Sequence, residues 1–250
     1  MSTGIGVGIA GQVFQTKAGA GIAPDPSYSN KYSVLFDGVD ESLDATLSPN
    51  FGTGNFTINF WIYRTSTSGS QNIFYKSGGT GSIWQIFITN GNAMQWSSTL
   101  WPDGAGVGLT PGNNVWEMWT YSVSQTGNTA TWYRNAANPN VKPISGLTGD
   151  FGVGNTFAIG KNAATGTYNF AGNIDEVSFW NKALSSSEIA AIYNSGVPTD
   201  LASEPGLINW LRMGDPLGPA SYPTIRDVKG GIDMTMTNMS SANITTNVPT

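Results

Sequence analysis

The chain has no cysteine and no histidine, and only 11% of its residues are charged. Without cysteine there is no disulfide framework and no thiolate metal site. Without histidine the commonest general base and the commonest zinc ligand are both missing. The many serines therefore have no imidazole to activate them, which leaves nucleophilic catalysis without support. Lysine and arginine total 11 against 16 acidic residues, a net charge of −5. The basic residues are scattered, which argues against a nucleic-acid partner, since phosphate binding needs them clustered. No run approaches the ~18 apolar residues of a membrane helix. No Walker-type Gly-Lys-Ser/Thr loop occurs. The opening MSTGIGVGIAGQVFQTK lacks the basic start and solid apolar stretch of a secretory leader. The expectation is a product kept in the cytoplasm or released by a route that needs no signal.

What is present is aromatic and glycine-rich. The 250 residues include 9 Trp, 9 Tyr, 11 Phe and 32 Gly, with 39% hydrophobic residues overall. Such a chain can fill a sizeable core, while its polar surface must come from Asn, Thr, Ser and Gln.

Residues 1–31 are rich in Gly and Ala without periodicity and read as an N-terminal arm. From Tyr32 the pattern changes. YSVLFD (32–37), SLDATL (42–47), NFTINFWIY (55–63), SIWQIFIT (82–89), AMQWSS (93–98), VWEMWTYSV (115–123) and NTATWYR (128–134) are short, aromatic and β-branched. Phe56, Ile58, Phe60 and Ile62 alternate with polar or outward positions, the period-two signature of half-buried strands. Gly, Asn, Pro and Ser clusters separate the runs. This pattern predicts an all-β antiparallel sandwich or jelly roll. One helix is predicted over 185–195. Ser185 and Glu188 form a capping box, Ile189, Ile192 and Tyr193 form an apolar stripe, and Gly196 and Pro198 end it.

Four stretches in this order, YSVLFDGVDESLDA, FTINFWIY, LTGDFGVGNTFAIG and GNIDEVSFWNKALSSSEIAAIY, resemble the laminin G-like group of the concanavalin A-like lectin and glucanase fold. The resemblance covers residues 32–196. It implies a two-sheet jelly roll that often binds glycans through a calcium-dependent or aromatic surface. GLINWLRMGD (206–215) and TIRDVKGGIDMTMTN (224–238) resemble the opening strands of such a module but come last. The implied domain therefore spans 32–250, with 206–250 supplying closing strands for itself or for a neighbour. Self-completion is favoured, because a missing strand would expose an apolar edge. The permuted order, the absent leader and the Gly-rich arm also resemble structural proteins of marine bacteriophages.

Asp175 and Glu176 are adjacent acids in a strand, where neighbouring side chains point to opposite faces. They cannot then flank one sugar bond as a glycosidase requires. The resemblance places the FDGVDE turn near the I-D-E strand, so Asp37, Asp40 and Asp175 are candidates for one structural Ca²⁺. The alternative is that Asp37 and Asp175 accept backbone hydrogen bonds in turns. Glu176 is expected to face solvent or to pair with Lys182. Trp61, Trp84, Trp119 and Trp132 fall in strand patterns and read as core. Trp101 and Asp103, in the loop STLWPDGAGVG, are candidates for glycan or partner contact. Trp101 could equally fold back onto the sheet.

The function these features suggest is a non-enzymatic virion structural protein of a phage, decorating the capsid or forming part of the tail. It would display a surface for particle stabilisation or attachment to host glycans. Its partners would be other virion proteins and copies of itself, met through the N-terminal arm. The alternative is a free carbohydrate-binding, lectin-like protein. A glycoside hydrolase comes third, because the acid pair is missing.

Overall fold

A computed structural model describes residues 28–78, 82–99, 108–144, 151, 156–215 and 217–250. The strands are β1 (Ser33–Asp37), β2 (Ser42–Ala45), β3 (Phe56–Arg64), β4 (Gln71–Ser77), β5 (Ser82–Ile88), β6 (Met94–Ser98), β7 (Trp116–Ser124) and β8 (Thr129–Arg134). They continue with β9 (Ala137–Pro143), β10 (Thr156–Ile159), β11 (Ala171–Trp180), β12 (Leu207–Leu211), β13 (Thr224–Ile225), β14 (Met234–Thr237) and β15 (Ile244–Thr245). The helix α1 is Ser186–Tyr193.

Two antiparallel sheets result. The first has the order β15-β1-β11-β3-β7-β8-β9, with β12 also paired to β11. The second has seven strands in the order β13-β14-β2-β10-β4-β5-β6. The main core lies between them. Phe56, Ile58, Phe60 and Ile62 enter it from β3, and Trp84, Ile86 and Ile88 enter it from β5. Trp84 stacks on Trp96 at 5.2 Å, Trp96 on Tyr121 at 4.8 Å, and Tyr121 meets Trp132 at 4.6 Å. Much of the aromatic content of the sequence thus goes into the inter-sheet core.

A second apolar cluster sits on the outer face of the first sheet. It contains Trp61, Met118, Trp180, Ile189, Ile192 and Trp210. The helix covers this face with Ile189 and Ile192, and Tyr193 stacks on Trp61 at 5.7 Å. Both halves of the Ser185–Glu188 capping box form. The helix stops at Asn194, whose φ of 43° is left-handed, just ahead of Gly196.

Strands from the last segment join both sheets of the same chain. β12 pairs with β11 and β15 with β1, while β14 pairs with β2. Two strands fall outside the sequence expectation. β4 begins with Gln71 and Asn72 after a turn-rich stretch, which hides its Ile73, Phe74 and Tyr75 run. β9 contains Pro139 and Pro143 and ends its sheet, the one place where prolines fit a ladder.

Candidate functional site

Along β11 two strands lie end to end. β1 pairs with it up to Ile174, and β12 takes over at Val177. Asp175 and Glu176 fall in the gap. On the other side, β3 registers Asp175 against Trp61 and then jumps to Ser178 against Asn59. That jump is a β-bulge, and Glu176 occupies it with φ 47°. Ile174 and Val177 both face the inter-sheet core, so the extra residue leaves Asp175 and Glu176 together on the outer face. The strict alternation expected from the sequence is broken here, and the two acids do share a face.

They are not open to a substrate. Asp175 is 0% exposed and Glu176 3% exposed. Asp175 accepts hydrogen bonds from the Glu176 backbone N–H at 2.8 Å and from Asn30 Nδ2 at 2.8 Å. Glu176 accepts from the Tyr28 hydroxyl at 2.8 Å and from Trp210 Nε1 at 2.5 Å. Arg212 Nε lies 3.6 Å from Glu176, and its Nη2 lies 3.7 Å from Asp215 and donates to the Ser29 carbonyl at 2.9 Å. Asp215 accepts from the Lys31 and Tyr32 backbone N–H groups at 2.8 and 3.3 Å. The Arg212 guanidinium also lies 4.5 Å from the centre of the Tyr28 ring and 5.2 Å from that of Trp210. Residues 28–31, the end of the expected arm, are therefore lashed to this junction.

Burial pushes the Asp175 carboxyl well above its ordinary range, and the charge of Glu176 adds to the shift. Burial also pushes Glu176 up to about 7, against the opposing pull of Arg212, Tyr28 and Trp210. Burial and the Glu176 charge together raise the Tyr28 hydroxyl. Glu176 thus neither faces solvent nor meets Lys182, which pairs with Glu188 at 2.5 Å. The bulge carries it inward, where Trp210 and Tyr28 supply donors.

The proposed calcium ligands are not brought together. Asp37 sits opposite Ala171 on β11, four residues from Asp175, about 13 Å along a strand. Asp37 is exposed and accepts from the Val39 N–H at 2.7 Å, a local turn. Asp40 lies further along that turn, where its carbonyl accepts from Asn238. Among the described residues no group of three or more His, Cys, Asp or Glu is placed to hold a metal ion. Asp37, Asp40 and Asp175 do not form one donor set for calcium, and Arg212 supplies the positive charge beside Glu176. Trp101 and Asp103 lie outside the described residues. Of the strand tryptophans, Trp84, Trp119 and Trp132 are in the inter-sheet core, whereas Trp61 is under the helix.

The second sheet presents a different surface. Leu43, Met234, Met236, Phe157 and Ile159 point into the core, so Asp44, Thr235 and Thr156 point away from it. Successive strand pairs align one row across the whole sheet: Thr224, Thr235, Asp44, Ala158, Tyr75, Gln85 and Ser97. Ala158 and Tyr75 in its middle are buried, so the polar groups that reach solvent are Thr224, Thr235 and Asp44 on one side and Gln85 and Ser97 on the other. Asn72 donates to Gln85 Oε1 at 2.9 Å, which fixes that amide. At the β14-β2-β10 end the row opens into a groove of about 520 Å³, lined by Asp44, Thr156, Lys161, Asp233, Thr235 and Thr237 among others. The sequence reading missed this surface. The alternating threonines of MTMTN were its one local trace.

Residues 37–190, more than half of the chain, match the laminin G profile described as the concanavalin A-like lectin/glucanases superfamily. The chain belongs to that superfamily, whose two-sheet jelly roll is the architecture described above. No curated protein matches it in sequence. Among solved structures it is similar to a Bacteroides ovatus protein provisionally described as carbohydrate binding, with TM-score 0.65 and 17% identity over 89% of this chain. The chain spans 62% of that protein's length. It is also similar to the CBM40 module of the Ruminococcus gnavus IT-sialidase, bound to α2,3-sialyllactose, with TM-score 0.52 and 16% identity over 65% of this chain and 97% of the module. A heptameric pentraxin of Limulus polyphemus gives TM-score 0.54 and 12% identity over 66% of this chain and 82% of that one. At these identities the likeness shows the fold alone.

Proposed function

We propose that this chain is a carbohydrate-binding module that holds a glycan without cutting it, on the outer face of the seven-stranded sheet. The observation that carries this reading is the groove at the β14-β2-β10 end of that sheet, where Asp44, Thr156, Thr235 and Thr237 bring hydroxyl and carboxyl groups from three adjacent strands to one accessible face. Hydroxyl and carboxyl groups in a fixed plane suit the edge hydroxyls of sugars. The carbohydrate-binding descriptions of two fold neighbours support the same class. The adjacent acids of β11 are not placed for turnover. They are buried and engaged by Asn30, Tyr28, Trp210 and Arg212. Affinity electrophoresis through gels containing soluble polysaccharides, paired with a reducing-end assay, tests the proposal. Retardation without release of reducing ends is expected. Release of reducing ends would overturn the non-catalytic part.

A second setting is that this module is displayed on a phage particle and is released by lysis. The observation favouring it is the anchoring of residues 28–31 at the β11 junction, which gives the segment before them a fixed root. Light scattering on the full chain and on a version without residues 1–27 tests it. Assembly of the first and a monomeric second are expected, and two monomers would sink it.

A further inference from the structure

We propose that the ligand of the groove is a neutral glycan, and that anionic sugars such as sialosides and uronides are excluded. This rests on the carbohydrate-binding reading and concerns the charge of that site. Among the described residues, two carboxylates, Asp44 and Asp233, and one cation, Lys161, line the groove. The cation is already committed, with Lys161 Nζ 3.5 Å from Asp44 Oδ2. An incoming carboxylate or sulfate would meet a second, unmatched negative charge and a lysine shared with Asp44. Loss of that pairing and repulsion from Asp233 both oppose it.

A neutral sugar meets no such cost. Its hydroxyls can donate to Asp44 and Asp233 and both donate to and accept from Thr156, Thr235 and Thr237. Hydrogen bonds onto a carboxylate are the stronger kind. Asp44 is held for this task, because Ser42 Oγ donates to its Oδ2 at 2.7 Å. Asp233 is similarly fixed by accepting the Asp227 N–H at 3.0 Å. Among the described residues none that lines the groove is aromatic, so recognition there rests on hydroxyl geometry. The volume of about 520 Å³ falls within the range of small-ligand sites. The likeness to a sialyllactose-bound module concerns the fold, and the charges lining this groove point to a different ligand class.

Calorimetric titration of the full chain tests the proposal. The probes are gluco-, manno-, xylo- and galacto-configured tetrasaccharides, α2,3-sialyllactose and trigalacturonate, each at low and high NaCl. Binding of at least one neutral tetrasaccharide, insensitive to salt, is expected. Neither anionic probe should bind comparably. Asp44→Asn should weaken the neutral ligand about tenfold or more, the loss of one charge-assisted hydrogen bond. Preferential binding of an anionic probe, abolished by Lys161→Gln and weakened by salt, would overturn this inference while leaving carbohydrate binding intact. Binding of no probe would overturn the carbohydrate reading and this inference with it.

Discussion

Tyr28 and Glu176 stand 148 residues apart in the chain and are joined by a 2.8 Å hydrogen bond from the phenol hydroxyl to Oε1. The contact exists because β1 and β12 leave a gap along β11 and a bulge turns Glu176 into it. Removing the hydroxyl while keeping the ring isolates that bond. Tyr28→Phe should lower stability by roughly 1–2 kcal/mol, the cost of leaving a buried acceptor short of a donor. Limited proteolysis should then cut more readily near residues 28–31. Unchanged protection would mean that Asn30 and Arg212 hold the segment without Tyr28.

The same junction sets a pH dependence. Glu176 and Asp215 face one guanidinium, Arg212, and Asp175 lies beside them with the neutral donor Asn30, while Tyr28 and Trp210 donate to Glu176. A carboxyl whose folded pKa lies above its unfolded one favours the folded state most below the unfolded value. That contribution is lost as the pH rises through the folded value. For Glu176 the window runs from 4.5 to about 7, and Asp175 acts in the same direction. The denaturant midpoint should therefore be higher at pH 5 than at pH 8, since each tenfold gain in proton affinity on folding is worth about 1.4 kcal/mol. Glu176→Gln should remove much of the slope. A wild-type chain that grows more stable between pH 5 and pH 8 would contradict this.

Gly172 opens the GNIDEV motif for a steric reason. Its φ is 135°, and a Cβ there would lie 2.0 Å from the Tyr63 carbonyl oxygen, which belongs to backbone and cannot swing away. Gly172→Ala should cost roughly 2–4 kcal/mol, in the range of strained backbone substitutions. Urea unfolding measures it, and a loss below about 0.5 kcal/mol, the size of an ordinary surface change, would show that β3 and β11 separate easily at this pair.

Asp227 is buried and gathers donors from β12 and from the loop that follows Asp227 itself. Its carboxylate accepts from Asn209 Nδ2 and from the N–H groups of Trp210, Lys229, Gly231 and Ile232, all within 3.0 Å. Asp227→Ala strands these donors and should cost about 3 kcal/mol or more, because buried unpaired groups carry the full desolvation penalty. It should also weaken glycan binding indirectly, since the Asp227 N–H holds Asp233. Calorimetric unfolding and a binding titration of the same variant check both effects.

The sequence was readable where one strand carries its own pattern. β3 and β5 alternate or run apolar, and the helix carries its cap in Ser185 and Glu188. It was silent where structure depends on partners. Nothing local marks Glu176 as a bulge residue; that follows from β1 ending and β12 beginning on one neighbour. The expectation that Asp37 and Asp175 meet failed on register, because their strands pair in an order that puts Asp37 beside Ala171. The polar row was invisible for the same reason. Thr235, Asp44 and Thr156 come from three strands and form a surface only once β14, β2 and β10 are adjacent.

The most direct measurement is backbone amide chemical-shift mapping by NMR during titration with a neutral oligosaccharide that binds. Perturbed amides should concentrate at Asp44, Thr156, Lys161, Thr235 and Thr237, while those of Asp175 and Glu176 stay still. Perturbations confined to the β11 junction or to the outer face of the first sheet would contradict glycan binding on the seven-stranded sheet.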